Sequence, residues 1–147
     1  MFALDDIYHF ISDTSGVNRN KLRPNSDLRD LGIEGDDFFE MMLEFEQKYL
    51  VDMSGYRWYF HHNEEGSPSL GRLLFKPPNS RVKRISITPE MLLESANAQH
   101  WNIQYPEHNL PAKRWDILFE KIFWLGLVAI VGIYLIVRFI LIVLQFK

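Results

Sequence analysis

Residues 122–144 read IFWLGLVAIVGIYLIVRFILIVL, and no other stretch constrains the chain as tightly. They hold 17 Ile, Leu, Val or Phe residues and one charge, Arg138. As an α-helix this run extends about 34 Å, enough to cross a hydrocarbon core of about 30 Å. Apolar residues at about −0.3 to −0.6 kcal/mol each outweigh the roughly +3 kcal/mol of one arginine in the span. Arg138 lies past the midpoint, so its guanidinium can snorkel toward the C-terminal interface. Trp115, Trp124 and Phe146 fall where interfacial aromatics belong. Core helices of soluble proteins seldom stay apolar on every face beyond about 14 residues. The expectation is a single transmembrane helix over 122–144 acting as a tail anchor, with Trp124 and Arg138 as its membrane residues. The start, MFALDDIYHF, has neither the basic region nor the apolar run of a signal peptide. Lys113, Arg114 and Lys121 precede the span; Lys147, with Arg138 if it snorkels that way, marks the far side. The positive-inside rule then places the N-terminal domain in the cytoplasm. Gly126 and Gly132 are six apart and do not make a small-xxx-small dimerisation pattern.

Charge divides the chain at about the same point. Residues 1–70 carry 14 acids and 6 bases, a net of −8, and residues 71–147 carry 5 acids and 10 bases, a net of +5. Nine of the acids fall between Asp27 and Asp52, against Arg29 and Lys48. A net charge of −3 lacks the basic footprint of a nucleic-acid binder. The absence of cysteine excludes disulfides, thiolate metal sites and a cysteine nucleophile.

Ahead of the span the pattern is helical. Leu4, Ile7, Tyr8 and Ile11 follow helix spacing, and Gly16 is a stop signal. Asp36 and Asp37 open a second helix, with Phe38, Phe39, Met42, Phe45 and Tyr49 on its apolar face. Glu40, Glu44, Glu46, Gln47 and Lys48 lie mostly opposite. Residues 63–84 read as a loop, with Gly66, Pro68, Gly71, Pro77 and Pro78 and then the basic Arg81, Lys83 and Arg84. Thr88-Pro89-Glu90 starts a further helix that carries Met91, Leu92 and Ala96 and ends near His100. Residues 102–121, with Pro106 and Pro111, lead to the membrane. The soluble part, residues 1–101, is expected to be all-α, with three or four helices and no strand pair.

Residues 26–53, SDLRDLGIEGDDFFEMMLEFEQKYLVDM, resemble acyl carrier proteins. Asp30-Leu31-Gly32 is similar to their acidic loop, Glu40 to Tyr49 to their recognition helix, and Asp52-Met53 to its tail. GIEGDDFFE, VDMSGY and ITPEMLLESA more closely resemble a bacterial, acyl-carrier-like family of unknown function. The resemblance implies a small helical bundle over residues 1–101 with a loop insertion near 63–84. It also puts Gly35 where carriers have the serine that bears phosphopantetheine. Glycine has no hydroxyl to attack coenzyme A, so no prosthetic arm and no cofactor are expected.

What the resemblance leaves is a docking surface for a protein partner. Asp36, Asp37, Phe38, Glu40, Glu44 and Glu46 are its candidate residues, with Phe38 expected to be exposed among the acids. The same acids also fit the solvated face of an amphipathic helix. A membrane-bound or lipid-synthetic enzyme is the partner class that the resemblance implies.

His61-His62-Asn63-Glu64-Glu65 has no ligand spacing, because adjacent side chains seldom converge on one ion. Glu34, Asp36, Asp37 and Glu40 lack EF-hand spacing. The stretch from Gly66 to Gly71 is not a nucleophile elbow. The expected function is therefore a non-enzymatic interaction or regulatory module held at the inner membrane, without metal. Two alternatives stay open: a carrier with an unusual attachment residue, and a small regulator acting through its span.

Overall fold

The computed structural model describes residues 1–64 and 69–145. Glu65, Gly66, Ser67 and Pro68 of the expected loop, and Phe146 and Lys147 beyond the span, lie outside the described residues. Five α-helices occur among the described residues: α1 (Leu4–Ser15), α2 (Gly35–Tyr49), α3 (Leu70–Leu74), α4 (Pro89–Ala98) and α5 (Trp115–Gln145). No strand is present among them, only an isolated bridge between Asp52 and His100. The protein is all-α, as its sequence leads one to expect. It forms two compact units, residues 1–65 with 78–110 and residues 66–77 with 111–147.

In the first unit, α1 packs against both α2 and α4. Its N-terminus is closed by Asp6, whose carboxylate accepts the Ala3 N–H at 2.8 Å. Gly16 ends it at φ +71°, a left-handed conformation that suits glycine, and donates its N–H to Ser12 O. Ile7, Phe10 and Ile11 then face Phe45 and Tyr49 of α2 and Leu92 and Ala96 of α4 in one core. Phe10, Phe45 and Tyr49 make mutual ring contacts at 5.1–5.8 Å. Thr88 caps α4 by accepting the Met91 N–H, with Pro89 at the first helical position.

Long connections between these helices need their own fastening. Arg84, half-buried, donates to both oxygens of Asp27 at 2.7 and 2.6 Å, and its Nε donates to His61 O at 3.1 Å. Arg84 is thus a clamp between loops, not a solvated loop cation. Burial pushes the Asp27 carboxyl up. Hydrogen bonds from Arg84, Ser86 and the Arg29 N–H outweigh that and hold it below the ordinary carboxylate range. Leu28 N–H to Ile87 O and Glu90 N–H to Pro24 O fasten the same loop to the approach to α4.

The second unit joins α3 to α5. The stretch expected to be loop therefore contains a helix, α3, capped by Ser69, which accepts the Arg72 N–H. The 31 residues of α5 extend about 46 Å. From Ile122 to Leu144 its side chains are exposed, and it is long and apolar enough to cross a membrane.

Replacing Arg84 with Met should strand the Asp27 carboxylate, only 13% exposed, without its bidentate partner. The expected loss is about 2 kcal/mol in urea unfolding of the first unit. Adding Asp27→Asn to that variant should cost little more, because the pair acts as one unit.

Candidate functional site

The backbone enters α2 through Glu34, extended, and Gly35, buried at φ +62°. That left-handed value is rarely adopted by residues with a Cβ, so position 35 is set by backbone geometry. The Glu34 side chain is engaged: it accepts Nδ2–H of Asn63 at 2.8 Å and pairs with Arg29 at 2.9 Å.

Beyond this entry, α2 has a buried face and a wet face. Phe38, Met42, Phe45 and Tyr49, spaced four, three and four apart, are all buried. This corrects the expected exposure of Phe38, which is 2% exposed and lies 5.2 Å from the His62 ring. The exposed aromatic is its neighbour Phe39, at 46%. Phe39, Leu43 and Leu50 form one exposed stripe, 41% exposed at Leu43 and 73% at Leu50. Asp36, Glu40 and Glu44, four apart, run alongside it, with Asp37 beyond them and Glu46 on the other edge. All five carboxylates are exposed, and none makes a salt bridge among the described residues. Lys48, the cation of this helix, lies over the rings of Phe10 and Tyr49 instead. Phe39 and Leu43 are the site residues that the sequence reading missed. The signal was present, since the four-three-four spacing from Phe38 fills the core and leaves Phe39 outside.

Behind the start of α2 lies a buried polar–aromatic cluster. His61 and His62 are 2% and 7% exposed. His61 Nδ1 is 2.9 Å from Ile85 O, a carbonyl that only accepts, so Nδ1 carries the proton. Nε2 then accepts from the Tyr105 hydroxyl at 2.7 Å. The Tyr105 oxygen in turn receives Trp101 Nε1–H at 2.8 Å and Arg57 N–H at 3.2 Å. Tyr56 stacks on the His61 ring at 5.2 Å and 7°. Burial pulls the His61 pKa down to about 4; the Ile85 hydrogen bond opposes this, and His62 and Arg84 add to it. His62 is lowered by burial too, against its hydrogen bond to Asn63 O and the nearby charges of Glu64, Asp36 and Glu34. Its Nδ1 faces Asn63 O at 3.2 Å, while Nε2 is buried without a hydrogen-bond partner among the described residues. Among those residues, no three His, Asp or Glu side chains are grouped as metal ligands.

In the second unit, Trp124 is 53% exposed and donates Nε1–H to Glu120 at 2.7 Å. Arg138 is exposed on the far half of α5.

A family model described as "protein of unknown function (DUF1493)" matches residues 4–104. The chain belongs to this family. The match takes in α1 to α4 and stops short of α5. No curated protein and no solved structure matches. The resemblance to acyl carrier proteins is corrected: no acyl-carrier family matches, and the family that does is one of unknown function. The left-handed Gly35 gives a local reason, since the position read as a displaced serine is shaped for glycine.

Two outcomes follow. Gly35→Ala should lose about 1 to 2 kcal/mol in urea unfolding, from the positive φ. For His61, the folded pKa lies below the unfolded value near 6.5, so the unfolded chain binds the extra proton. Its contribution, about 3 kcal/mol, is fully present above pH 6.5 and is lost as the pH falls toward 4. Urea midpoints measured across that range should fall more steeply for the wild type than for His61→Gln.

Proposed function

We propose that the protein is a membrane-anchored, non-enzymatic interaction module whose wet α2 face binds a basic, amphipathic protein segment. The observation that carries this reading is the stripe of Phe39, Leu43 and Leu50 bordered by the exposed carboxylates of Asp36, Glu40, Glu44 and Glu46. A solvated helix face needs carboxylates but gains nothing from an exposed phenylalanine and two leucines among them. A partner gains twice. Apolar burial supplies affinity at about 25 cal/mol per Å², and complementary charge supplies encounter rate and register. The stripe runs about 17 Å along the axis, the length of three helical turns, which suits a helix laid against it.

In this reading α5 is the anchor. It places the module in a cell inner membrane with the N-terminal unit in the cytoplasm. A helical rather than barrel span supports the first point, and Lys113, Arg114 and Lys121 ahead of the span support the second. The lipid-synthetic identity of the partner has no support independent of the acyl-carrier resemblance and is not retained. A membrane protein with a basic cytoplasmic helix fits both the tether and the acidic face.

The test is crosslinking in native membranes with the full-length chain. Glu40→Lys, Glu44→Lys and Glu46→Lys combined should weaken recovery of the captured partner about tenfold or more. Leu43→Asp, which keeps the negative face and removes the apolar contact, should do the same. Recovery unchanged by both sets removes the proposal. Recovery that follows α5 when the span is exchanged for an unrelated anchor would move the function to the span instead.

A further inference from the structure

We propose that α3 is a second membrane contact, an interfacial helix that sinks Leu70, Leu73 and Leu74 into the bilayer surface beside the first turns of α5. The inference rests on the reading of α5 as a membrane span and adds a lipid-binding surface to it.

A helix of five residues does not hold itself together in water, because nucleation costs more than its few hydrogen bonds return. α5 supplies the missing support. Gly71 lies so close that a Cβ there would be 1.9 Å from the Asp116 carbonyl oxygen. Its N–H donates to Glu120 Oε2 at 2.9 Å, and the rings of Phe75 and Phe119 meet at 5.7 Å. The other oxygen of Glu120 accepts the indole N–H of Trp124, so one carboxylate ties α3 to the start of the apolar run.

The level of this contact is what points to lipid. Asp116, Phe119 and Glu120 precede Ile122 by two to six residues, about 3 to 9 Å of helix rise. The headgroup layer on each face of a bilayer is about 5 to 8 Å deep. Trp115 and Trp124, both about half exposed, bracket the same zone, where indoles concentrate. At that depth α3 displays three leucines, with Leu73 80%, Leu74 61% and Leu70 45% exposed. Residues 69–76 contain Arg72 and Lys76 and no acid, so no like charge on this segment opposes its approach to anionic headgroups.

The chain has no cysteine, so a single introduced cysteine carries a single probe. Full-length Leu73→Cys, Leu50→Cys and Val131→Cys are each labelled with an environment-sensitive fluorophore. They are reconstituted in vesicles of phosphatidylcholine and phosphatidylglycerol. Quenching is read with nitroxide lipids, shallow and deep, and with aqueous iodide. The Val131 probe should be quenched by deep nitroxide, which verifies the span. The Leu73 probe should be quenched by shallow nitroxide several-fold more than the Leu50 probe, and by iodide several-fold less. Gly71→Val added to Leu73→Cys should release α3 and raise iodide quenching several-fold. A Leu73 probe as open to iodide as the Leu50 probe, with Val131 still in lipid, overturns the α3 proposal alone. A Leu73 probe shielded from iodide but untouched by nitroxide lipid means a protein covers the leucines, and also overturns it. A Val131 probe outside lipid overturns the span and α3 together.

Discussion

Helices of 12, 15 and 10 residues make the framework of the first unit, and more chain lies between them than within them. Buried backbone in such connections must find hydrogen-bond partners or lose about 1 to 3 kcal/mol for each group left bare. Arg84 meets that constraint at its most crowded point. One guanidinium holds the Asp27 carboxylate of the loop before α2 and the His61 carbonyl of the segment after it. Its own segment leads directly into α4, so three stretches far apart in sequence are fixed by one side chain. Ile85, next in the chain, presents its carbonyl to His61 and its N–H to Phe60. The arginine clamp and the histidine cluster are therefore neighbours in one network, and the position of α2 depends on both.

This network also explains why two adjacent histidines are buried in a domain with so much acid. His61 is held neutral as a rigid polar spacer between a carbonyl and a tyrosine hydroxyl. A proton on Nε2 would point at an oxygen that already accepts two N–H groups. His62 does a different job, filling space against Phe38 and Trp58 at 5.2 and 5.6 Å. Neither ring offers a lone pair to the outside, so this cluster serves as the foundation of the α2 face.

Local rules were legible in the sequence and long-range ones were not. Gly16 as a stop, Thr88-Pro89 as a start and the apolar run of α5 are contiguous signals, and each is where it was expected. The buried set of α2 was equally available from spacing, yet the carrier resemblance put Phe38 outside, and the expected apolar face included Phe39, which is exposed. The His61–Tyr105 contact spans 44 residues and obeys no periodicity. The helix α3 was hidden for a similar reason. Leu70–Leu74 lies among Gly and Pro residues and is too short to announce itself, and the groups that stabilise it, Asp116, Phe119 and Glu120, are more than 40 residues away.

Among the described residues, α2 and α3 each expose a short apolar surface outside the span, and their borders sort them between different neighbours. Phe39, Leu43 and Leu50 are fenced by carboxylates. Bringing that face to an anionic headgroup layer would set like charge against like within a Debye length of about 8 Å, and the repulsion opposes apolar insertion. The same fence favours a basic protein surface. Leu70, Leu73 and Leu74 lie in a segment, residues 69–76, that holds Arg72 and Lys76 and no acid, so no such repulsion opposes apolar insertion there. The split of −8 before residue 71 and +5 after it is thus the coarse trace of a finer arrangement. The sign of the charge beside each apolar patch decides whether protein or lipid is its favourable contact.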